Sequence, residues 1–192
     1  MEVYNAGERI FGESRAQELS AKQPQLPNDI QWHFIGHLQK NKIKYIAPFV
    51  SMIQSVDSLE LLQEINRYAL KNNRVINVLL QVHIAKEETK FGFSADDILN
   101  FFKIDTWKNL ENIKICGLMG MASLTADSTI VTAEFQSLAQ LFKTVKKEYF
   151  PTDDNFCELS MGMTDDFPLA IAAGSTMIRI GSAIFNDRHY IN

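Results

Sequence analysis

Residues 158–185 read Glu-Leu-Ser-Met-Gly-Met-Thr-Asp-Asp-Phe-Pro-Leu-Ala-Ile-Ala-Ala-Gly-Ser-Thr-Met-Ile-Arg-Ile-Gly-Ser-Ala-Ile-Phe. The pattern is strand, turn, short helix, strand, turn. Cys157 to Met163 is short, apolar and bounded by polar residues, which suits a buried strand. Thr164 is placed to cap the helix that follows, and Asp165 and Asp166 favour its positive N-terminal end. Gly174 stands where a helix stop wants left-handed backbone. Met177 to Ile180 is the next strand, and Gly181-Ser182 opens the loop after it. Gly162 and Gly181-Ser182 thus fall just past the ends of two successive strands, where small residues let backbone N–H groups approach an anion closely. Arg179 lies inside an apolar strand, where a charge is costly unless paired. Two readings follow. Either Arg179 pairs with a buried carboxylate and the glycines serve the turns, or the unit is a phosphate cradle with Arg179 aimed at the rest of the ligand.

Outward from that unit, strands and helices alternate. Met1 to Glu8 reads as the tail of an amphipathic helix stopped at Gly7, and Arg9 to Gly12 as a short strand. Ser14 and Gln17 have the spacing of a capping box, as do Asp57 and Glu60, and Ser94 and Asp97. Trp32–Gly36, Ser51–Val56, Asn77–Ile84 and Ile113–Met121 read as strands. Leu38–Ala47, the segment carrying Leu61, Leu62, Ile65, Tyr68 and Ala69, and Thr129–Phe150 read as helices. Seven strands result, near residues 10, 34, 53, 80, 117, 160 and 180.

Strict alternation predicts an α/β fold with a parallel sheet covered by helices. A TIM-type (β/α)8 barrel needs eight strands, and the chain opens on the end of a helix that a strand should precede. The expected fold is therefore a single-domain barrel over residues 1–192, incomplete at the N-terminus, its first strand absent. An open doubly wound sheet tolerates seven strands, but the Gly-rich dinucleotide fingerprint it usually carries is missing. In barrels, phosphate often binds at the loops after strands seven and eight, which here are Gly162-Met163-Thr164 and Gly181-Ser182.

The bulk properties narrow the partners. With a net charge of -4, no overall basic field points to nucleic acid or an anionic membrane. No apolar run reaches the roughly 18 residues of a membrane span, and no signal-peptide-like segment opens the chain. A cytoplasmic location is expected. Cys116 and Cys157 sit in apolar runs and read as free buried thiols rather than as a disulfide or metal site.

Several blocks carry a family likeness: Phe11-Gly12-Glu13-Ser14, Trp32-His33-Phe34-Ile35-Gly36-His37-Leu38-Gln39-Lys40-Asn41-Lys42, Gly117-Leu118-Met119, Leu159 to Asp166, and Arg179 to Phe185. In order and across nearly the whole chain, they resemble the pyridoxal phosphate homeostasis proteins, single-domain relatives of the alanine racemase N-terminal barrel. The resemblance implies a barrel that binds pyridoxal 5′-phosphate (PLP), holding and distributing that cofactor without an assigned catalytic step. PLP-dependent enzymes are the partners it implies. It also implies that Ser160, the backbone around Gly162, and Gly181 and Ser182 hold the phosphate, and that Arg179 faces the pyridine nitrogen. A guanidinium does not give up a proton, so the ring would stay unprotonated and be a weaker electron sink. Met119, Met121, Met161 and Met163 suggest a soft wall to the site, though Met is also common core filler; Met119 joins the cofactor-binding candidates.

Two departures stand out. The family's PLP-bearing lysine lies at the end of the first strand, in a Val-Ser-Lys-like segment that does not occur before Met1, so no catalytic residue is assigned. Glu13-Ser14 replaces the family's common Glu-Asn. Lys86 and Lys90 follow the strand near residue 80 on the correct face, but in a loop. A PLP-dependent amino-acid racemase is the alternative function; in the two-domain relatives a second base comes from an extra domain, whereas this chain ends seven residues after Phe185. An incomplete barrel would expose strand edges, so homo-oligomerisation through the gap is expected. His33 and His37 have a spacing that binds metal on a helix, but they flank a strand with no carboxylate beside them and read as packing and hydrogen-bonding residues; no metal site is expected. His83 reads as the cap of its strand.

Overall fold

The computed structural model describes residues 1–86 and 91–185. Fifteen elements alternate along them: α1 Glu2–Asn5, β1 Ile10–Glu13, α2 Ala16–Lys22, β2 Gln31–Phe34, α3 Ile43–Ile46, β3 Met52–Val56, α4 Leu59–Lys71, β4 Ile76–His83, α5 Ala95–Lys103, β5 Ile113–Met121, α6 Ser128–Tyr149, β6 Glu158–Met163, α7 Phe167–Ala172, β7 Met177–Arg179 and α8 Ser182–Phe185. Seven strands form one sheet in the order β1-β2-β3-β4-β5-β6-β7, and every pairing is parallel. That order separates the two candidate folds. A doubly wound sheet reverses its strand order at a switch point. Here each strand adds beside the last, so every right-handed crossover delivers its helix to the same face and the sheet curls into a nearly closed barrel. β1 and β7 are its edges, each bonded to one neighbour among the described residues.

Two apolar layers follow from the curl. The main core lies between sheet and helices, with Phe34, Ile53, Leu80, Leu118 and Met161 from strands against Leu62, Ile65, Phe102 and Phe135 from helices. A second, small cluster of Met52, Leu79, Cys116 and Met119 fills the inside, joined by Met121 and Met177. Both faces of the strands are therefore buried, as in parallel sheets generally.

Local signals decide some helix starts and lose others. Ser94 and Asp97 form the expected reciprocal capping box. The other two boxes do not form. Arg15, not Ser14, occupies the N-cap of α2, with no side-chain cap bond. Ser58, not Asp57, caps α4 by accepting from Leu61 N–H. The expected helix over Leu38–Ala47 is a 3-10 turn at Lys40–Lys42 followed by the single turn of α3. Ahead of α7, the N-cap position is Asp166 and not Thr164, again without a side-chain cap bond. Gly7 and Gly174 do end their helices, at φ of +106° and +102°. Cys157, expected to be buried, is exposed; both cysteines are free.

Candidate functional site

Of the predicted residues, Arg179 and Ser160 meet on the inner side of β6 and β7. Arg179 is the last residue of β7, and its guanidinium reaches back across the sheet. Nη1 donates to Ser160 Oγ on β6 at 2.7 Å, and Nη2 donates to the Gly120 carbonyl on β5 at 3.0 Å. Among the described residues no carboxylate lies within ion-pair distance of it, so the first of the two readings of Arg179 is not what the structure shows. Burial pushes its pKa down to about 10, an effect that Asp166 partly opposes.

Ser160 is fully buried and committed on both sides. It accepts from Arg179 and donates to Gln54 Oε1 on β3 at 2.7 Å. The Gln54 amide nitrogen lies 3.0 Å from His33 Nδ1 on β2 and donates to Met177 Sδ at 3.0 Å. An amide NH2 only donates, so His33 Nδ1 accepts and the ring proton sits on Nε2. Burial holds His33 at a pKa of about 4, neutral at physiological pH. A hydrogen-bonded chain thus runs from Arg179 through Ser160 and Gln54 to His33, across the inside of the barrel.

The other predicted residues are placed as follows. Met119 is fully buried in the inner cluster, beneath the site. Gly162 has φ +93°, and a Cβ there would lie 2.6 Å from Ala170 Cβ, so close packing of α7 on β6 accounts for this glycine. The N–H of Met163 donates to Asp166 Oδ1 at 2.6 Å and is therefore taken. Gly181 and Ser182 are exposed, and nothing lies within 4 Å of a Cβ built on Gly181. That end of the site is open to a ligand.

His37 corrects an expectation. A carboxylate does join it: Asp57 Oδ2 lies 3.2 Å from His37 Nδ1, and the Phe91 ring stacks on the imidazole at 3.8 Å between centroids. This pair also explains the lost cap of α4, since the Asp57 side chain is drawn to the loop after β2. His83 caps its strand as expected, with Nε2 2.8 Å from the Ala85 carbonyl. No group of three or more potential metal ligands occurs among the described residues. Lys86 is exposed, its N–H donating to Ser123 Oγ; Lys90 and residues 186–192 lie outside the described residues. A cleft of about 240 Å³ at the other end of the barrel, lined by Trp107, Lys114 and Phe150 among others, contains none of the predicted residues.

Gln54 and the Gly120 carbonyl were not singled out from the sequence, and His33 was read as a packing and hydrogen-bonding residue rather than as part of the site. One signal was available: a polar side chain in Met52-Ile53-Gln54-Ser55-Val56, a run that proves wholly buried. Such a residue needs a partner inside the protein.

With the geometry in place, likeness to known proteins can be read against it. The family model described as alanine racemase, N-terminal domain, matches residues 1–189. The pyridoxal phosphate homeostasis protein of Aquifex aeolicus is 38% identical over 190 residues, covering 98% of this chain and 81% of the relative. That of Synechocystis is 39% identical, covering 97% and 84%. The chain belongs to the pyridoxal phosphate homeostasis protein family. Among solved structures, PipY of Synechococcus elongatus with PLP bound is 35% identical, covers 96% of this chain and 84% of that one, and superposes with a TM-score of 0.84. Alanine racemase of Clostridium difficile, 14% identical with a TM-score of 0.71, shares the fold. No helix among the described residues is long and apolar enough to cross a membrane.

Proposed function

We propose that residues 1–192 form one PLP-binding barrel that holds the cofactor at the C-terminal mouth and serves intracellular PLP homeostasis as a carrier, without turnover. The observation that carries this reading is the state of Arg179. A guanidinium has five N–H donors; among the described residues two are engaged, both by neutral acceptors, and no carboxylate lies within ion-pair distance, Asp166 favouring the charge only from further off. A half-buried cation in that state favours an anionic ligand with an acceptor atom, and PLP offers both a phosphate and a pyridine nitrogen. The residues present therefore fit the cofactor. Arg179 faces the ring nitrogen, and Gly181 and Ser182 approach the phosphate from the open side. Ser160 and the backbone at Gly162 complete its surroundings, and Met119 walls the ring from below. Ser160 Oγ–H points to Gln54 in this structure, so it reaches a phosphate oxygen only by turning away. When bound, PLP supplies the electron-withdrawing ring; an Arg opposite its nitrogen keeps that ring unprotonated.

The proposal includes a cytoplasmic location, delivery to PLP-dependent enzymes, and self-association along the edges of β1 and β7. Support for the last is the two unpaired edges, which invite pairing. The experiment is PLP titration of the purified protein, followed by absorbance and by thermal unfolding, beside Arg179→Met and Ser182→Trp. Saturable binding that raises Tm, weakened about tenfold or more by each variant, is expected, since charged hydrogen bonds are worth about 1.5–3 kcal/mol. Undiminished retention in both variants would sink the site assignment, and amino-acid turnover in a chiral assay would sink the carrier reading.

A further inference from the structure

Arg179 is held in place by a hydroxyl whose own direction is set elsewhere. Ser160 Oγ accepts from Arg179 because its single proton is spent on Gln54 Oε1. Gln54 presents oxygen to Ser160, with its NH2 end toward Met177 Sδ, which only accepts, and toward His33 Nδ1, which accepts in the tautomer protonated at Nε2. Reversing the amide would set its oxygen against Met177 Sδ and would leave the Ser160 hydroxyl proton without its acceptor. Ser160, Gln54 and His33 are at most 5% exposed, so little solvent competes for the bonds among them; Arg179 and Met177, at the two sides, are half-buried. Nothing between Arg179 and His33 carries a charge at neutral pH.

We propose that Gln54, its amide set between Ser160 on one side and His33 and Met177 on the other, is a positioning residue for Arg179: it fixes the Ser160 hydroxyl so that a lone pair faces the guanidinium with no carboxylate in direct contact among the described residues. The inference deepens the PLP reading and rests on it for the ligand class, a phosphorylated heteroaromatic with a ring acceptor. The arrangement of Arg179 itself can be measured without any ligand.

Two changes separate orientation from charge. Gln54→Leu removes the acceptor for Ser160, which frees the hydroxyl to turn and donate elsewhere. Gln54→Glu keeps the shape and the acceptor but adds a negative charge one side chain away from Arg179. The readouts are the side-chain nitrogen resonances of Arg179 in the ligand-free protein and the PLP dissociation constant. For Gln54→Leu we expect the slow-rotation Arg179 Nη signals to collapse and PLP affinity to fall about tenfold, the scale of one hydrogen bond to a charged group. The loss should vanish in an Arg179→Met background, because the two residues act as one unit. For Gln54→Glu we expect sharp Arg179 signals with an affinity reduced at least as much, the anion now meeting a compensated cation.

Unchanged Arg179 signals and unchanged affinity in Gln54→Leu would overturn the proposal, as would a full loss that persists without Arg179. Should Gln54→Leu fail to fold, Gln54→Glu decides: affinity equal to that of the parent protein overturns it. If the parent protein binds no PLP, the ligand reading fails, and the Arg179 resonances still test the positioning role.

Discussion

His33 carries a stability cost that grows as pH falls. Burial lowers its pKa from 6.5 to about 4, so the folded state binds fewer protons than the unfolded state between those values. Stability from this group is complete above about pH 6.5, is lost as pH drops through the window from about 6.5 to 4, and levels off below. At about 1.4 kcal/mol per pH unit, the loss reaches about 3 kcal/mol at the acid end. Urea unfolding across that window should show the drop, and His33→Asn should shrink it; an unchanged profile would mean that His33 is not neutral in the folded state. His33 was legible in the sequence as a packing and hydrogen-bonding residue, but its partner Gln54 was not. Arg179 was legible as an anomaly, a charge in an apolar strand, but its partners were not, because Ser160 and Gly120 lie 19 and 59 residues away and meet it only across the sheet.

At the scale of the element, capping signals were readable wherever they closed locally. The Ser94–Asp97 box needs only its own four residues and forms. Asp57 was expected to cap α4, but Ser58 does so, while the Asp57 carboxylate lies 3.2 Å from His37 Nδ1, twenty residues earlier in the chain. Ser58→Ala is expected to cost about 1 kcal/mol in chemical denaturation; Asp57→Ala should leave the cap intact and free the His37 ring. Gly117 is a different case. At φ +152° it sits beside the register shift between β4 and β5, and a Cβ there would lie 1.8 Å from the Glu158 carbonyl oxygen. Gly117→Ala is expected to destabilise by about 3 kcal/mol or more, or to abolish folding. A near-neutral result in urea unfolding would mean that β5 and β6 separate at small cost.

For the whole molecule, the strand order places helices on the outside, leaves the interior to a few polar and thioether side chains, and exposes two edges. Self-association along those edges predicts a concentration-dependent dimer in sedimentation velocity. Ile10→Lys, placed on the exposed edge strand β1, should shift it to monomer. A parent protein that stays monomeric at high concentration would remove that part of the proposal. Between α5 and α6, Phe102 packs against Trp107, Tyr149 and Phe150 at centroid distances of 5.5, 5.3 and 5.4 Å. It anchors the side of the barrel away from both edges.

What the sequence determined by itself was the succession of elements, the one capping box that closes within a turn, and the family. All of these are written in short-range patterns: periodicity, composition and motif blocks. Gly162, expected past the end of its strand, lies inside β6, and Ser182, expected in a loop, opens α8. Tertiary structure decided which way each strand residue faces, and so which polar groups meet. A strand buried on both faces has no alternation of apolar and polar residues to mark its inner side. Met52 to Val56 is buried throughout, so nothing in its sequence tells Gln54, which points into the barrel, from Ile53, which points out. Closure of the sheet sets that difference and brings β2, β3, β6 and β7 within one chain of hydrogen bonds.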